Sequence, residues 1–172
     1  MTEYFPFQQC DGPKYDPDMW DLSKVKHEIN NCYSYAVINE IENDITEKRQ
    51  PGEKCGKKFE YDCSNLEEMI KCDFPEITKI DTIDSYVPCN HYRIALVLDK
   101  SGEFLDYHFY RQDLDGYWSH KTGHDPISNV DASNNKILNP EYNIDRNYDK
   151  ENNDRFNYDV FCGYYSVPYN GK

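Results

Sequence analysis

Between Trp20 and about Thr46 the apolar positions Val25, Ile29, Tyr33, Val37, Ile41 and Ile45 recur at every fourth residue, which is one face of a helix, with a break offered by Asn30-Asn31. Gln50-Pro51-Gly52 and Cys55-Gly56 then mark a loop. Ser64-Asn65-Leu66-Glu67 is a capping-box pattern, and it predicts a short helix ending before Pro75. Beyond that point the pattern changes to strands. The run Ile94-Ala95-Leu96-Val97-Leu98 predicts a strand from Tyr92 to Asp99, Lys100-Ser101-Gly102 turns the chain, and further strands are expected from about Phe104 to Gln112 and from Tyr117 to Lys121.

The turn between the last two decides where side chains point. Leu114-Asp115-Gly116 suits a three-residue hairpin loop with Gly116 in the left-handed conformation. That loop sets Asp113 opposite Tyr117 and Tyr110 opposite His120, so His108 and His120 share a face as diagonal neighbours. A two-residue loop at Asp115-Gly116 would put them on opposite faces. Residues 122 to 157, rich in Gly, Asn, Asp and Pro, read as a long irregular crossing over the surface, and Phe161 to Pro168 as a closing strand. Residues 1 to 19 read as an extended segment wrapping a single domain of residues 20 to 172. The expected class is α+β, with N-terminal helices packed on an antiparallel β-meander.

Length and composition narrow the partners. A chain of 172 residues with 26 aromatic side chains, 16 of them Tyr, can build one core. The net charge of −13 argues against nucleic acid or an anionic membrane as a partner, because both require clustered Lys and Arg. Met1 to Gln9 lacks the basic and apolar regions of a signal peptide, and no segment is long and apolar enough to span a bilayer, so a cytoplasmic or virion-associated location is expected. The bias toward Asn, Asp, Lys, Tyr and Ile fits the AT-rich genome of a large virus or a protist-associated organism. No cofactor is implied, and oligomeric state is left open.

Cysteine arithmetic leaves two readings. Setting Cys32 aside, Cys10, Cys55, Cys63, Cys72, Cys89 and Cys162 are even in number and can form up to three disulfides, which suits an oxidising compartment; the missing signal peptide pulls the other way. Their spacings contain no C-x-x-C pair and match no common zinc motif, so no metal site is expected. The Asp-rich stretches Asp113-Leu114-Asp115-Gly116 and Asp145-Arg146-Asn147-Tyr148-Asp149 lack a calcium-loop pattern and read as turns.

Cys32 itself follows Asn31, a favoured N-cap, and so falls in the first turn of a helix, where the terminal partial charge favours thiolate. His108 is the candidate base and His120 the group that orients it, with His91 as a competitor for the base. The backbone N–H of Cys32 and a donor from Asn31 or Tyr33 would hold an oxyanion. His27 and His124 read as surface residues, and Arg111 as the partner of Asp106 or Asp113 across the hairpin. The alternative for Cys32 and both histidines is packing inside an aromatic core.

The order of blocks, Asn31-Cys32-Tyr33-Ser34-Tyr35-Ala36, Gln50-Pro51-Gly52, Tyr107-His108-Phe109-Tyr110-Arg111-Gln112, Trp118-Ser119-His120-Lys121 and Phe161-Cys162-Gly163-Tyr164, resembles a little-characterised group of bacterial and large-virus proteins with features of papain-like, NlpC-type cysteine peptidases. That resemblance implies a papain-like fold and a peptidase or amidase. Cys32, His108 and His120 would then act on a peptide or isopeptide substrate through a thioester acyl-enzyme. The second reading, from a different class, is a non-catalytic structural or interaction protein, a virion or surface component, on the same scaffold.

Overall fold

The computed structural model describes residues 10–21, 30–37, 48–123, 125–149 and 156–170. Six strands form an antiparallel sheet: β1 (Thr78–Ile80), β2 (His91–Asp99), β3 (Asp106–Gln112), β4 (Trp118–Lys121), β5 (Ile127–Ser128) and β6 (Val160–Pro168). Their spatial order is β1-β6-β2-β3-β4-β5, so the last strand inserts beside β2. The continuous apolar run of β2 is explained by its place: it lies between β3 and β6 and is buried on both faces from Tyr92 to Asp99. The expected strand from Phe104 starts at Asp106, and Phe104 and Leu105 stay exposed before it.

Three helices are described: α1 (Pro17–Asp21), α2 (Cys32–Val37) and α3 (Cys63–Asp73). Asn30 and Asn31, where a break is expected, are non-helical and directly precede α2, while positions 22–29 and 38–47 of the expected long helix lie outside the described residues. Helix α3 ends before Pro75 as expected, but its cap is not Ser64. Asp62 takes that place, its carboxylate accepting the backbone N–H groups of Ser64 at 3.0 Å and Asn65 at 3.1 Å. The side chain of Glu67 instead pairs with Lys71 and Lys79.

Strand alternation divides the core in two. On one face Tyr92, Ile94, Leu96 and Leu98 of β2 and Tyr107 and Phe109 of β3 meet α2 and α3. On the other, Ala95, Val97, Tyr110, Trp118 and Tyr164 are covered by Ile137 and Tyr158, with Ile144, Tyr148 and Phe156 packed around them. Residues 122 to 157 are therefore more than a surface crossing, since their described part supplies a covering layer to the sheet. The N-terminal segment is also tied in: Cys10 is bonded to Cys89, Leu114 N–H donates to the Pro13 carbonyl at 2.8 Å, and Trp20 stacks edge-on against Tyr35.

Asp73, at the end of α3, joins three elements. Its carboxylate accepts the Tyr33 hydroxyl at 2.8 Å and the Gly52 and Cys55 N–H groups at 2.7 and 3.2 Å. The loop it holds includes a short 3-10 helix, Glu53–Cys55, and the disulfide Cys55–Cys72 closes the same region. A third disulfide, Cys63–Cys162, fastens the start of α3 to β6. Six of the seven cysteines are thus paired, leaving Cys32 as the free thiol.

Candidate functional site

The β3–β4 hairpin has the expected three-residue loop. Asp113 N–H donates to the Tyr117 carbonyl at 2.8 Å, Gly116 has φ 86°, and Arg111 faces Ser119, so that Tyr110 falls opposite His120. His108 and His120 accordingly share a face, and their rings meet with His108 Nε2 at 2.8 Å from His120 Nδ1. His120 Nε2 lies 3.0 Å from the Val130 carbonyl. A carbonyl only accepts, so Nε2 of His120 carries its proton and Nδ1 accepts the one on His108 Nε2.

This chain of hydrogen bonds requires the His120 imidazole to be neutral, because its Nδ1 must keep a lone pair. Burial pushes His120 down to about 4 and His108 well below the usual imidazole range, with the neighbouring His120 adding to the second shift. The pair is enclosed by phenols. Tyr158 stacks on His108 at 5.0 Å between ring centroids, Tyr110 meets His108 edge-on, and Tyr148 lies beside His120.

Cys32 opens α2 as expected, with the Asn31 side chain accepting Ser34 N–H at 3.0 Å in the capping role. Its thiol, however, belongs to the other face. Cys32 packs with Tyr107 and Phe109 on the helical side of β3, whereas His108, between them in sequence, projects the opposite way. The sulfur lies 3.9 Å from the Tyr107 carbonyl rather than beside an imidazole. Burial, then the Asp106 carboxylate, pushes the thiol up to about 12, the reverse of nucleophile activation.

Asn31, Tyr33 and His91 make hydrogen bonds of their own. Besides capping, Asn31 donates from Nδ2 to the Arg49 carbonyl at 2.8 Å, and the Tyr33 hydroxyl goes to Asp73. His91 sits at the start of β2, its Nδ1 3.1 Å from Asn90 Oδ1. His27 and His124 lie outside the described residues. Arg111 pairs with Asp113, Nη2 to Oδ1 2.8 Å, and lies over the Tyr35 ring. Tyr148, Tyr158 and the Val130 carbonyl, which complete the histidine cluster, were not signalled by the sequence, since they come from an irregular segment with no period. Lys121, buried on the helical side of β4, is a further unforeseen residue; burial lowers it to about 8.

What the fold and this cluster define is a disulfide-braced α+β domain with a buried polar interior. Comparison places it more closely. A stretch of 127 residues, 74% of the chain, is 35% identical to insoluble matrix shell protein 1 of Ruditapes philippinarum and covers 78% of that protein. The chain belongs to the family of that shell matrix protein. No protein-family model and no solved structure matches it. The expected papain-like cysteine hydrolase, with its acyl-enzyme chemistry and viral setting, is overturned by this relationship to an insoluble matrix protein. The same relationship favours the second reading, a structural protein. No helix among the described residues is long and apolar enough to cross a membrane.

Proposed function

We propose that the chain is a non-catalytic structural component of an insoluble extracellular matrix. The observation that carries this is its 35% identity, over most of both chains, to an insoluble matrix shell protein. Three disulfides support an oxidising, extracellular setting rather than a cytoplasmic or virion-associated one. The inward placement of Cys32, and the enclosure of His108 and His120 by Tyr110, Tyr148 and Tyr158, support a role in which these groups stabilise a scaffold.

Fractionation of the producing tissue tests the proposal. An antibody to the chain should detect it in the extracellular material that resists extraction by denaturant. Recovery in the soluble cytosolic fraction alone overturns the reading.

A further inference from the structure

An insoluble assembly of this chain faces an electrostatic obstacle, because copies carrying a net charge of −13 repel one another. Strand addition offers little help, as the edge strands β1 and β5 have only three and two residues. Nor do thiols supply links between copies, since six cysteines are paired within the chain and Cys32 is buried. Of the side chains that couple on one-electron oxidation, both tryptophans are buried, and the phenols remain.

Two tyrosines differ from the other described ones. Tyr86 is 86% exposed and Tyr142 63% exposed, whereas the others are buried or half-buried. The half-buried rings are engaged: Tyr61 packs on Phe59, Tyr117 lies under Lys136, and Tyr169 meets Tyr92.

We infer that Tyr86 and Tyr142 are oxidative cross-linking sites that join copies of this chain through dityrosine bonds. The inference rests on the structural reading above. Each phenol gives up one electron and one proton to become a phenoxyl radical. Radicals on two copies then join ortho carbon to ortho carbon, and enolisation returns the ring hydrogens to the oxygens. The two electrons and two protons released reduce one hydrogen peroxide to two waters, with a peroxidase as the class of catalyst. Two sites per copy make the chain bivalent, so linear polymers form.

The test treats purified full-length protein, disulfides intact, with a haem peroxidase and hydrogen peroxide, and reads reducing denaturing gels and dityrosine fluorescence. Wild type should give a ladder of dimers, trimers and higher species. Tyr86→Phe and Tyr142→Phe should each stop at dimers, and the double variant should remain monomeric. A ladder in the double variant, or links mapped to other tyrosines such as Tyr4, overturns the inference; so does a wild type that stays monomeric. The tissue fractionation is independent: a wild-type ladder with the chain confined to cytosol sinks the matrix reading alone, whereas a persistent monomer with the chain in the insoluble fraction sinks the cross-linking alone.

Discussion

A proton added to His120 has nowhere to go without cost. Nδ1 already accepts from His108, Nε2 already donates to Val130, and phenol rings close off the surroundings. Both histidines are held below their unfolded value of about 6.5, so the unfolded chain takes up protons first as pH falls. The stability they contribute is complete above about pH 6.5 and is lost as pH drops toward the folded value of about 4 for His120, by about 1.4 kcal/mol per pH unit for each histidine. Urea unfolding between about pH 7.5 and 4.5 should show this decline, with a shallower slope for His120→Phe. NMR titration of the folded protein should find both rings neutral at about pH 5, and either His108 or His120 titrating near the ordinary value would refute the account.

Local elements show what a sequence can carry. The period-two alternation of β3 and β4 and the glycine of their turn are short-range signals, and they placed His108 and His120 together correctly. The side of the sheet that receives Cys32 is a long-range property. Because β2 is apolar on both faces, its pattern does not say which face meets the helix carrying the thiol. Likewise Ile137, Tyr148 and Tyr158 fall at irregular spacing in a loop-like composition, so their burial shows only once the sheet is assembled. Even where a loop was legible, as at Gln50-Pro51-Gly52, its fixing by Asp73 from helix α3 was not. Gly52 has φ 87°, and an added Cβ would approach Met69 Sδ to 2.6 Å. Gly52→Ala should therefore lower unfolding stability by about 2–4 kcal/mol, combining left-handed strain with overpacking. Unchanged denaturant midpoints would show that this loop relaxes freely.

Across the whole molecule the disulfides differ in reach. Cys63–Cys162 spans 99 residues and joins helix to sheet, while Cys55–Cys72 spans 17 within one corner. On chain-entropy grounds, replacing the first pair by Ala should cost about 4–5 kcal/mol and replacing the second about 3. Denaturant unfolding of the two variants gives the order, and an equal or larger loss for the shorter loop would contradict it.

The bonds also overlap along the chain. Any backbone position between Cys10 and Cys89 is spanned by one bridge, and any position between Cys63 and Cys162 by another. A single proteolytic cut anywhere from Cys10 to Cys162 therefore leaves two pieces that remain one covalent molecule. A protein tied in this way can be nicked by a protease without being shed, until a reductant arrives as well.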